Sequence, residues 1–212
     1  MRRMTKVGTS EFLRAAQVRT ARIAASGSAT RRQGPGAARA ARRFLATVEL
    51  RRFGVPSAAT FRQHLDKATG RLVGALPRTA RSWGLARKLL NIFLRDALYT
   101  TYLCKRFGLR TAEKFFEIPL DSITSRQLRA AAGRGALPRW TGVKHLRPDV
   151  SKQYQLHAAL LAEKDGLARV HLDTYWWGER DDETGALPRV AGNALLAARR
   201  RARPSQRRRT TP

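Results

Sequence analysis

Two side chains in this sequence have the types and positions to do chemistry together. Lys88 lies early in a run of helix-favouring residues that opens at Trp83-Gly84 and meets no further glycine or proline until Gly108. Asp121 follows 33 residues later, at the end of the apolar approach Ile118-Pro119-Leu120. A lysine amine is a nucleophile when neutral, and it can form a Schiff base with a carbonyl carbon. Neutrality near pH 7 requires burial, neighbouring cations such as Arg87 and Arg95, or both. A carboxylate close by can take the amine's proton and stabilise positive charge growing on the reacting carbon. The plain alternative is a surface lysine on a helix and an N-cap aspartate worth about 1 kcal/mol.

The elements that must position these groups follow from the patterning. Leu85, Leu89, Ile92, Phe93 and Leu103 predict a largely buried helix over 81–107, with Lys88, Asn91 and Arg95 on one polar stripe at i, i+3 and i+7. Ser122 or Asp121 caps a helix running to Ala132. Upstream, 38–50 favours helix, and Ser57 caps a second helix whose apolar face is Phe61, Leu65, Ala68 and Leu72. Downstream, 133–148 reads as loop, 150–164 as a buried helix, and 167–177 as a short terminal helix. The breaker cluster Arg31-Arg32-Gln33-Gly34-Pro35-Gly36 ends a basic arm over 1–36, expected to be disordered. The domain is expected over 37–177, followed by a disordered Arg-rich tail over 178–212. The pentapeptide Gly-Ala-Leu-Pro-Arg recurs at 74–78, 135–139 and 185–189 without shared surroundings, so it is not a structural repeat.

Gly84-Leu85-Ala86-Arg87-Lys88 and Ile118-Pro119-Leu120-Asp121-Ser122 together make residues 81–129, about a quarter of the chain, resemble the helix-hairpin-helix (HhH-GPD) DNA glycosylases. In that superfamily a glycine-containing hairpin leads into a helix whose early lysine is the nucleophile of the bifunctional members. A P-(V/L)-D segment then supplies the catalytic aspartate. The hairpin here, Ser82-Trp83-Gly84-Leu85-Ala86, lacks the proline and one glycine of the usual P-G-x-G, and Ile123 stands where a histidine is usual. The resemblance implies an all-α domain with a helix-hairpin-helix-like element, acting in base-excision repair as a glycosylase and AP lyase. Lys88 would be the nucleophile and Asp121 the acid/base. Backbone N–H groups near Gly84 and Ala86, with Arg81, Arg87, Arg95 and Lys144, would hold phosphates. Phe116, Trp176 and Trp177, with Phe115 and Tyr175 nearby, would receive a base swung out of the duplex.

Composition bears on the partner. The chain has 43 Lys and Arg against 15 Asp and Glu, a formal charge of +28. Residues 44–177 alone keep 23 basic and 10 acidic side chains, so the excess is not confined to the ends. A field of this sign favours polyanions, duplex DNA first and RNA second, against the bland reading of a solvated basic surface. The single cysteine, Cys104, excludes a disulfide within the chain and a four-cysteine iron–sulfur cluster. His64, His145, His157 and His171 lack metal-ligand spacing, so no metal and no cofactor is expected. No apolar stretch approaches membrane-spanning length. A monomer in the cytoplasm, associated with the nucleoid, is expected, with organellar import through the basic N-terminus as the alternative. The competing function is a non-catalytic helical DNA- or RNA-binding protein.

Overall fold

Leucine and alanine on every side of one helix decide how this chain packs. Leu85, Leu89, Leu90, Phe93, Leu94, Ala97 and Leu98 leave that helix no solvent face along most of its length, so the rest of the chain must wrap it. A computed structural model describes residues 8–176. The wrapped helix is α4 (Trp83–Tyr99), opened by Ser82, whose hydroxyl accepts the Leu85 N–H at 3.2 Å. Around it lie α1 (Thr9–Ala24), α2 (Ala37–Leu45), α3 (Ala58–Ala75) and α5 (Thr101–Phe107). Their core includes Leu45, Phe53, Phe61, Leu65 and Leu72. Further along the chain, α6 (Ser122–Ala132) and α7 (Pro148–Glu163) close a second core on Ile118, Leu120, Leu128, Tyr154, Leu172 and Trp176. The fold is all-α, and no strand occurs among the described residues.

Ser57 caps α3 as expected, accepting the Thr60 N–H at 3.3 Å, and α6 runs over the expected residues. Three expectations are corrected. Packed structure begins at Thr9, not at Ala37: α1 buries Thr20, Ala21 and Ala24 against its neighbours. The Gln17 amide of α1 donates to the carbonyls of Ala46 and Val48 at 3.2 and 2.8 Å, just past the end of α2. Small side chains carry most of this contact, which lets the helices approach closely, with Leu13 the one large apolar residue of α1 packed on the first core. The helix expected over 81–107 is two helices, parted at Thr100. There the backbone turns extended (ψ 104°) and the hydroxyl donates back to the Asp96 carbonyl at 2.8 Å. The region read as 38–50 is helical only to Leu45, then turns through a 3-10 segment at Leu50–Phe53.

The stretch after α7 is a 3-10 turn at Arg169–His171 leading into helical residues 172–176. Three side chains fasten it. Arg169 donates to the carbonyls of Phe116 and Phe115, both at 3.0 Å. His171 lies between the Tyr99 hydroxyl (2.8 Å) and a Glu113 oxygen (2.6 Å). Asp173 pairs with Arg95 of α4. The expectations for residues 1–7, for Trp177 and for the tail over 178–212 lie outside the described residues.

Candidate active site

Asp121 is where the second core hands a side chain to the first. The chain arrives extended from Ile118 and Leu120, both buried, and turns into α6. Asp121 is the N-cap, rather than Ser122. Its Oδ1 accepts the N–H groups of Ile123 (2.9 Å) and Thr124 (3.1 Å), while the Thr124 hydroxyl accepts the Asp121 N–H (2.8 Å). This capping box locks the carboxylate's orientation. With Oδ1 used by the cap, Oδ2 is left 3.5 Å from Lys88 Nζ. The amine also lies 3.5 Å from the Ala29 carbonyl, in the connection between α1 and α2. The two side chains are 11% and 17% exposed, so the pair is largely withdrawn from water.

A second carboxylate belongs to this cluster, and sequence reasoning missed it. Asp173 is buried, pairs with Arg95, and lies within electrostatic reach of Asp121, Lys88 and Asp96. Burial pushes its carboxyl up to about 7, with Asp121 and Asp96 adding to the rise and Arg95 and Lys88 opposing it. Asp96 shares Arg95, accepting its Nε and Nη2 through Oδ1 at 3.0 and 2.8 Å. Its Oδ2 is buried without a partner, and burial raises this carboxyl too. The only signal in the sequence was a lone carboxylate in the stretch Val170 to Trp176, between the apolar residues Val170, Leu172 and Trp176.

The other expected site residues fall in different places. Arg87 turns inward with 6% exposure: its Nε and Nη2 grip Glu117 at 2.8 and 3.1 Å, and Nη1 reaches Asp66 and Thr69 at 2.8 and 2.9 Å. Asn91, on the stripe with Lys88, also donates to Glu117, at 3.1 Å. Arg95 is taken by Asp96 and Asp173. Both arginines are engaged by the protein's own carboxylates, in the place where the resemblance would put phosphates. Gly84 and Ala86 are buried. A Cβ on Gly84 would lie 2.1 Å from the Val143 carbonyl oxygen and 2.7 Å from Leu146 Cβ, so the chain's own residues 143–146 cover this end of α4. The Ala86 N–H is spent on the Ser82 carbonyl at 3.2 Å. Arg81 and Lys144 are exposed. Phe116 is core, 5.1 Å from the Phe61 ring centroid, and Trp176 is packed in the second core.

The arrangement at Lys88 can pass a proton from the ammonium to a fixed carboxylate oxygen, leaving a neutral amine with a second acid close by. Two clefts among the described residues, one beside α3 and α7 and one beside α5, are lined by neither Lys88 nor Asp121. Among the described residues, no cluster of His, Cys, Asp and Glu could hold a metal ion. No described helix is long and apolar enough to cross a membrane. Compared with known proteins, the chain matches no family model, no curated protein and no solved structure.

Proposed function

We propose that this chain is a DNA glycosylase with AP lyase activity, in which Lys88 is the nucleophile and Asp121 its proton acceptor. The observation that carries the reading is the 3.5 Å approach of Lys88 Nζ to a capped, oriented carboxylate oxygen in a site largely closed to water. Asp121 takes a proton from the ammonium. The neutral amine attacks C1′ of a damaged nucleotide, and the C1′–N bond breaks with its electron pair leaving on the base. Loss of a further amine proton and opening of the C1′–O4′ bond give the protonated Schiff base. Removal of a C2′ proton then expels the 3′-phosphate, and water releases the sugar aldehyde from Lys88. The net charge of +28 suits a polyanionic substrate.

A second reading has its own support. Arg87 and Arg95 are consumed by internal carboxylates, and residues 143–146 cover the start of α4. On that reading Lys88–Asp121 is an internal tie between the two cores, and the protein binds nucleic acid without chemistry. Borohydride trapping decides between them. The full chain is incubated with duplexes carrying common oxidised or deaminated bases or an abasic site, and a reduced Schiff base fixes protein to DNA. The glycosylase/lyase reading expects a covalent adduct from wild type and none from Lys88→Gln. No adduct from wild type on any lesion leaves the binding reading.

A further inference from the structure

A cleft of about 450 Å³ is bounded by α3, the start of α4, the chain around 114–117, α7 and Arg169. Five cations converge on it from five separate segments: Arg62, Arg87, Lys114, Lys152 and Arg169. Only two carboxylates line it, Asp66 and Glu117, and Arg87 already bonds both. Arg62, Lys114 and Lys152 are exposed and have no ion pair among the described residues. Arg169 is largely buried, and its guanidinium is fixed by the Phe115 and Phe116 carbonyls instead of by a carboxylate. Burial holds the Arg169 guanidinium below its ordinary range, Arg62 and Arg87 lower it further, and Glu117 opposes. Positive charge is therefore concentrated here beyond what the protein itself neutralises. A held guanidinium costs free energy in such a field, and an anion in the cleft would relieve it. Trp83 forms part of the wall, with the Arg87 guanidinium 5.2 Å from its ring centroid, so a flat aromatic face borders the cations.

We infer that this cleft binds phosphate groups of nucleotides, through Arg62, Lys152 and Arg169, with Trp83 beside the base. The site shares no lining residue with the Lys88–Asp121 pair, so it stands or falls independently of the glycosylase reading. Its phosphates come either from a free nucleotide or from the backbone of a nucleic acid, and the two sources are separable.

The test is isothermal titration of the full-length protein with deoxyadenosine monophosphate and, separately, with a short undamaged DNA duplex, at fixed ionic strength. Wild type is compared with Arg62→Gln/Lys152→Gln and with the control Arg39→Gln/Arg43→Gln, which removes the same charge from the exposed face of α2. The cleft variant should lose at least about tenfold in affinity for the mononucleotide, as two charge-assisted contacts imply, while the control stays within about twofold. If duplex displaces the mononucleotide and also binds the cleft variant less tightly than the control, the backbone is the source. If duplex binding is equal in both variants while mononucleotide binding differs, the source is a free nucleotide. Equal mononucleotide affinity in the two variants, or no measurable binding by wild type, overturns the assignment. The altered side chains are exposed, so matched melting curves will show that folding is not the variable.

Discussion

At the residue scale, the Asp121 carboxylate divides its labour between its two oxygens, and this makes its roles separable. Asp121→Asn keeps an oxygen for the Ile123 and Thr124 N–H groups, and Asn caps about as well as Asp. What is lost is the acceptor facing Lys88, so adduct formation should fall at least a hundredfold while melting shifts only by the missing ion pair, about 1–2 kcal/mol. Trapping yield and a thermal melt on the same preparation check both halves. Retention of wild-type trapping would remove Asp121 from the chemistry. Asp173 makes a different prediction, about pH. An exposed aspartate ionises near 3.8, whereas this one holds its proton to about 7 in the folded state. The folded chain thus binds a proton that the unfolded chain has released. The stability gained is complete below pH 3.8 and is lost as pH rises to about 7, after which the profile is flat for this group. Asp173→Asn should remove that decline while preserving an oxygen for Arg95. Urea midpoints between pH 4 and 8 measure it, and parallel profiles for the two proteins would show that another group is responsible.

At the element scale, Gly84 and α1 carry the tests. Gly84→Ala places a methyl group 2.1 Å from the Val143 oxygen, a backbone atom that can retreat only if residues 143–146 move together. The expected cost is about 1–3 kcal/mol, with faster protease cleavage between 140 and 147. Unchanged cleavage and melting would mean that the segment yields freely. Deleting residues 1–25 should destabilise the protein strongly, because the α1 residues Thr20, Ala21 and Ala24 are part of the core and Gln17 serves the end of α2. A deletion variant that melts like wild type would restore the view of this region as a mere arm.

These two elements also show what could be read in advance. Helices α3, α6 and α7 announce themselves through caps, breakers and large apolar residues at helical spacing. Helix α1 packs through Leu13, Ala16, Thr20, Ala21 and Ala24, a helical spacing carried mostly by small side chains that give a weak hydrophobic signal, and its arginines are exposed. The nearness of Lys88 to Asp121 was suggested by the motif segments. The inward turn of Arg87 and Arg95 was not, since Glu117 and Asp173 stand 30 and 78 residues away, and Asp96 beside Arg95 does not by itself show which way the pair faces. Asp173 escaped for the same reason.

At the scale of the whole molecule, net charge sets the expectation. Affinity for undamaged duplex should fall steeply and linearly on a log–log plot against salt. Truncation to residues 8–176 should flatten that slope. Fluorescence anisotropy across a salt series measures it, and a slope unaffected by truncation would place the contacts wholly within residues 8–176. Helix α4 ties this scale to the smaller ones, because both ends of the described chain close on it. Ala29 reaches Lys88 from the beginning, and Arg169, His171 and Asp173 fasten residues 169–176 from the other side. That closure has a consequence in time. Asp173 is synthesised 85 residues after Lys88, several seconds later at about 5–20 residues per second. Until then Arg95 has no Asp173 and the amine no second carboxylate, so a nascent chain already holding α4 carries an unfinished site. Ribosome-stalled chains ending before residue 169 would hold Lys88 and Asp121 but leave Arg95 with Asp96 and without Asp173, so the closure on α4 is completed only by the last of the described residues to be made.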